Sequence, residues 1–176
     1  MLYVLFALLG LGLIALDQWV KAWTVASFAA PLLEGGSTMD DPISFLPGVV
    51  ELTRVHNTGA GWSSFAGWRW FLVGVSTVIV LAVFWLLIRR IVRHPLGVAA
   101  GALVAAGGIG NIIDRVRLGY VVDMFHFEFW PSYPVFNVAD ICIVIGGVMA
   151  AVYYLWVYDK YDARKTPDGD SDAPIE

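Results

Sequence analysis

Four aspartates stand out in a chain with few charges: Asp17, Asp114, Asp123 and Asp140 each lie in or beside a long apolar stretch. A carboxylate in such surroundings is hard to keep ionised. Two of them forced together share a proton, which makes one an acid and the other a base. Such a pair can activate water against a peptide carbonyl with neither a metal nor a covalent intermediate, so no metal and no cofactor is expected. Other chemistries fit less well. Cys142 is the single cysteine, set in an apolar run with no local base, and reads as a small buried hydrophobe. His56, His94 and His126 occupy different segments without the HExxH spacing of a zinc hydrolase, and no Ser-His-Asp set is suitably placed. Spacing alone leaves every pairing of the four aspartates open.

The elements that must position these carboxylates are membrane helices. Of 176 residues, 59% are hydrophobic and 15% charged, against about 25% charged in ordinary soluble domains. A bilayer accepts such side chains directly, and the eight Trp and seven Tyr suit its headgroup level. Eleven Lys and Arg with no basic stripe argue against a nucleic-acid partner. Helical crossings of roughly 20 residues are expected at Leu2 to Trp23, Trp68 to Ile88, Leu96 to Ile113 and Phe136 to Tyr158. The first lacks the basic start and cleavage site of a secretory signal and reads as a retained span. The third is rich in Gly and Ala, which suits close helix packing and a central place.

Arg89, Arg90, Arg93 and His94 link spans two and three, and Lys160, Arg164 and Lys165 follow span four. The positive-inside rule puts both groups, and with them both termini, in the cytoplasm, although Arg115 and Arg117 oppose it. Residues 26–67 then form an outer subdomain with a short strand at Val49 to Val55, and Arg115 to Tyr133 a second outer segment whose aromatics sit at the interface. Residues 159–176 read as a disordered cytoplasmic tail. In this topology Asp17, Asp114, Asp123 and Asp140 share one membrane depth, with Asn57, Asn111 and Asn137 near them in sequence. Singly, each has a structural reading. Asp17 and Lys21 are an i,i+4 pair, and Asp140 after Asn137 suits a helix start. Together they indicate a polar site. A small ion-coupled transporter is the alternative, although these carboxylates do not line a path from face to face.

The ordered motifs Asp17-Gln18-Trp19-Val20-Lys21, His56-Asn57-Thr58-Gly59-Ala60, Gly107 to Arg115 (GGIGNIIDR), Val122-Asp123-Met124-Phe125 and Phe136-Asn137-Val138-Ala139-Asp140 closely resemble those of bacterial lipoprotein signal peptidases, the type II signal peptidases. The resemblance covers Leu2 to Tyr158. It implies an all-α membrane protein of four transmembrane helices with a small β-rich extracytoplasmic cradle and a short outer helical segment. It implies an aspartic endopeptidase of the bacterial cytoplasmic (inner) membrane, working near the extracytoplasmic face. Its substrates would be diacylglyceryl-modified prolipoproteins, cut before the lipidated cysteine. The implied catalytic pair is Asp123 and Asp140, supported by Asp17, Lys21, Asn57, Gly59, Asn111, Asp114, Arg115 and Asn137. The peptidase unit would be residues 1–158, monomeric and in contact with membrane lipid. Asp114 is expected to pair with the adjacent Arg115. Gly61-Trp62 stands where the family more often has Ala-Phe, which implies altered packing of the substrate loop rather than lost activity.

Overall fold

In the computed structural model, which describes residues 1–30 and 37–163, four helices are long and apolar enough to cross a membrane. They are α1 (Leu2–Ser27), α2 (Arg69–Ile88), α3 (Pro95–Leu118) and α4 (Val138–Trp156). All four expected spans are present, and the first and third run past their expected ends. Asp17 and Lys21 do not stop α1, because they pair with each other inside the bundle. Asp114 and Arg115 do not close α3, because both are buried within its last turns.

Local signals set the ends of the later helices. Pro95 begins α3, where the missing N–H costs nothing, and His94 caps it by accepting the N–H of Leu96. Gly119 ends it in the left-handed conformation. Asn137 and Asp140 form a reciprocal capping box that starts α4.

Helix α3 is the centre of the bundle. Half of its most apolar stretch is buried, against 11%, 11% and 22% for α1, α2 and α4, which present their remaining faces to lipid. The glycines of α3 admit this approach. A Cβ on Gly110 would lie 2.6 Å from the Asp17 carboxylate of α1, and one on Gly107 would meet the backbone of α4 at Ala139.

At one end of the bundle stands a three-stranded antiparallel sheet, β1 (Ser37–Leu46), β2 (Val50–Asn57) and β3 (Val121–Phe127), in that order. Strand β2 is the one legible from sequence. Strand β3 falls in the stretch read only as interfacial aromatics, so the sheet is not confined to residues 26–67. Its aromatics do cluster: Phe127 contacts Phe129, Tyr133 and Phe136. Buried Arg54 joins the sheet to the bundle by donating to the carbonyls of Val25 and Phe28 at the end of α1.

The expected outer helical segment is a single 3-10 turn, Gly61–Ser63. Part of the expected tail is structured: helix α5 (Tyr158–Tyr161) follows α4, and Asp162 accepts the backbone N–H groups of Arg93 and His94 and the hydroxyl of Tyr153. The rest of that tail, residues 164–176, lies outside the described residues.

Candidate active site

Strand pairing sets the first half of the site. Val55 faces Asp123 and Asn57 faces Val121 across β2 and β3, so Asn57 and Asp123 are diagonal neighbours on one face. The Asn57 amide donates to Asp123 Oδ2 at 3.0 Å. The second half comes from the return of the chain. After β3 it loops back so that Phe136 pairs with Phe125, exchanging backbone bonds of 2.8 and 2.9 Å. This pairing delivers Asn137, and one helical turn later Asp140, to the side of Asp123.

Three asparagines hold the two carboxylates, and each is oriented by its own second bond. Asn57 Oδ1 accepts the N–H of Gly59 (2.9 Å), which turns its amide nitrogen to Asp123. Asn137 Oδ1 accepts the N–H of Asp140 (2.9 Å), so its nitrogen reaches Asp123 Oδ1 at 2.6 Å and also Asn111 Oδ1 at 3.1 Å. Asn111 Oδ1 accepts Lys21 Nζ (3.0 Å), leaving its nitrogen to donate to Asp140 Oδ1 at 2.8 Å. The backbone N–H of Asn137 meets Asp140 Oδ2 at 3.2 Å. Each carboxylate oxygen thus accepts one N–H. A carboxylate offers about four lone-pair sites, so room remains for a proton and a water.

Behind this row lies a buried ion cluster. Lys21 Nζ sits 2.9 Å from Asp17 Oδ2 and 3.0 Å from Asp114 Oδ2. Each oxygen of the two carboxylates also has a partner, as a buried charge requires. Asp17 Oδ1 accepts the N–H of Ala139 at the start of α4, and Asp114 Oδ2 that of Val122 at the start of β3. Gln18 donates to Asp114 Oδ1 at 2.9 Å and reaches Asp17 and the Gly110 carbonyl. Asp114 and Arg115, expected to act as a pair, take different direct partners. Successive helical residues point about 100° apart, so Asp114 turns to Lys21 while Arg115 donates to the carbonyl of Gly59 at 2.6 Å. Arg115 thereby holds the loop that orients Asn57.

Asp123 is only 1% exposed. Burial, reinforced by the nearby charge of Asp140, pushes its carboxyl up from 3.8 to about 8, against the opposing pull of Asn57, Asn137 and Lys21. Both aspartates line a cavity of about 450 Å³ whose polar end also holds Asn57, Asn111 and Arg115. Its other walls are Leu72, Val75 and Ser76 of α2 and Ile143 and Val144 of α4, over Gly108 of α3. Trp62 and Tyr133, with rings 5.8 Å apart, stand over it. The departure at Gly61-Trp62 therefore bears on the cavity wall, and Trp62 adopts a left-handed φ of 53°. Two adjacent carboxyls, one held neutral, beside a cavity walled by membrane helices can polarise a carbonyl and activate a water.

The structure brings all ten expected residues into this one network. The three histidines stay apart: His56 stacks on Tyr120, His94 caps α3, and His126 meets Glu51 at 2.7 Å. Among the described residues, no three His, Cys, Asp or Glu side chains converge as a metal-ligand group. Sequence reasoning missed Gln18 as a bridge. The signal was its place beside Asp17, one turn from Lys21 on the same helix. It also missed the backbone donors of Val122 and Ala139, which no side-chain pattern reveals.

A polar site of carboxyls at one end of four membrane helices has the parts that a membrane-embedded aspartic peptidase requires. The family signature described as signal peptidase (SPase) II matches residues 9–156. Lipoprotein signal peptidases of Enterococcus faecalis (36% identical over 168 residues, 96% of this chain and 97% of the relative) and Lactiplantibacillus plantarum (38% over 148 residues, 84% and 92%) are similar along most of their length. A solved bacterial membrane enzyme shares the fold, with a TM-score of 0.71 at 24% identity over 99% of this chain and 94% of that one. A second solved bacterial membrane enzyme has a TM-score of 0.68 at 26% identity, covering 88% and 93%. The chain belongs to the signal peptidase II family, the aspartic peptidases that remove signal peptides from prolipoproteins.

Proposed function

We propose that Asp123 and Asp140 are the catalytic dyad, and that this peptidase cuts diacylglyceryl-modified prolipoproteins immediately before the lipidated cysteine. The observation that carries the assignment is the row of three oriented asparagines, which aims amide N–H groups at these two carboxyls and at one cavity. One carboxylate takes a proton from a water held between the pair as the water oxygen attacks the scissile carbonyl. The other, protonated, donates a hydrogen bond to the carbonyl oxygen that gains charge. When the tetrahedral adduct collapses, the C–N bond breaks and the amine leaves with a proton from the dyad. One shared proton remains on the pair.

The membrane explains the substrate class. A diacylglyceryl group holds its cysteine at the bilayer surface through about 0.8 kcal/mol per buried methylene. The cavity lies between α2 and α4, each packed on α3, which suits entry of an apolar signal helix from the side. The arginines of residues 89–93 lie at the opposite end of the bundle from the carboxyls. The positive-inside rule then puts both termini in the cytoplasm and the site at the outer face of the cytoplasmic membrane. Residues 1–158 act as one peptidase unit and residues 159–176 as its tail. All ten site residues come from one chain, so a monomer suffices.

The test is cleavage of a diacylglyceryl-modified prolipoprotein by purified protein in lipid, wild type against Asp123→Asn and Asp140→Asn. Release of the signal peptide by the wild type and by neither folded variant is the expected result. Cleavage that survives either substitution overturns the dyad, and a folded wild type inert on this substrate overturns the substrate class.

A further inference from the structure

A second groove lies on the other side of α3, away from the carboxyls. Helices α1 and α2 both pack against α3, and between them runs a cavity of about 490 Å³. Its walls are apolar, with Ala7 and Leu11 on α1, Phe84 and Leu87 on α2, and Ala102 and Ala106 on its α3 floor. It extends along α1 from Tyr3 to Ile14. At about 1.5 Å per residue that is roughly 16 Å, close to half of a hydrocarbon core about 30 Å thick. The groove is therefore as deep as one leaflet. A bilayer leaves no such space empty, and a side chain too short to cross it forfeits contacts that a hydrocarbon chain would supply.

The mouth of the groove is cationic. Arg90, the one charged residue lining it, is exposed in a left-handed turn with φ of 53°. Its guanidinium lies 5.9 Å over the ring of Tyr3, whose hydroxyl is already engaged with the Val92 carbonyl. Among the described residues that guanidinium has no hydrogen-bond or ion-pair partner. Arg89 and Arg93 stand beside it, while the neighbouring acid, Asp162, is taken up by backbone N–H groups and Tyr153. An unpaired guanidinium at the headgroup level, above a groove one leaflet deep, matches a phosphate joined to an acyl chain.

We propose that this groove is a specific site for one anionic phospholipid of the leaflet at the arginine end, with an acyl chain between α1 and α2 and its phosphate on Arg90. The groove ends at Ile14 and Ile109, one turn from Asp17 and next to Gly110. A bound chain would therefore stop short of the ion cluster and leave the carboxyl site untouched.

The test is native mass spectrometry of the purified full chain with phosphatidylglycerol and with phosphatidylcholine of identical acyl chains. The wild type should retain one phosphatidylglycerol about fivefold more tightly than phosphatidylcholine, the scale of one arginine near a lipid phosphate. Arg90→Gln should erase that preference. Ala7→Phe, at an exposed α1 position, should fill the groove and release the lipid, with unchanged helix content by circular dichroism and unchanged signal-peptide cleavage. Leu11→Trp serves the same purpose if Ala7→Phe does not fold. Equal retention of the two lipids by the wild type, or a preference that survives Arg90→Gln, overturns the proposal. So does a second copy of the chain occupying the face, seen as a dimer that Ala7→Phe dissociates.

Discussion

The two grooves that flank α3 are built from the same helix and differ in what closes their ends. Between α2 and α4 the cavity meets a sheet and the caps of two helices, and both carboxyls and all three asparagine amides there have hydrogen-bond partners. Between α1 and α2 the walls are apolar to the mouth, where one guanidinium is left over. The difference shows what a site in a membrane protein requires. Helix packing alone yields a space that lipid fills, whereas holding two buried carboxyls takes backbone N–H groups and fixed amides, and these come from strand edges and helix starts.

The largest effect expected on this contrast is chemical. Asp123→Asn and Asp140→Asn should each reduce cleavage by about 10³-fold or more, since both acid and base steps are lost; single-turnover assays check this. Next comes the ion cluster. Lys21→Met leaves Asp17 and Asp114 buried without their cation and should destabilise the fold by about 3–5 kcal/mol, measured by thermal or denaturant unfolding in the same lipid or detergent.

The pH dependence follows with its sign set by Asp123, whose carboxyl is raised from 3.8 to about 8. Between those values the folded protein keeps a proton that the unfolded chain has lost, so stability falls as pH rises and levels off above about 8. Asp123→Asn should flatten that decline. Cleavage should drop above pH of about 8 as the dyad loses its shared proton. Asn57 favours the ionised form, so Asn57→Ala should move this alkaline limb upward. The smallest effect belongs to the apolar groove, where Ala7→Phe should leave the pH profile in place and change cleavage less than twofold. A large loss there would mean that the two grooves are not independent.

Much of this was legible in the chain. The four apolar runs, the crowding of Asp17, Asp114, Asp123 and Asp140 at one depth, the Asp17–Lys21 spacing and the Asn137–Asp140 start of α4 are local patterns. Hydropathy and helical periodicity act through neighbours in sequence, so residues alone determine them. Strand β3 was not legible, because VVDMFHF places an ionisable aspartate on its buried face and becomes a strand only when β2 pairs with it. The direction taken by Asp114 was also hidden. Sequence adjacency suggested Arg115, but the turn of the helix and the arrival of Lys21 from α1 settled it otherwise. The amide orientations of Asn57, Asn111 and Asn137, and the return of Phe136 to Phe125, depend on partners tens of residues away. The chain by itself determined a four-span membrane protein with its carboxyls at one end. Only the tertiary structure decided which groups face one another, because hydrogen-bond direction depends on where separate elements meet.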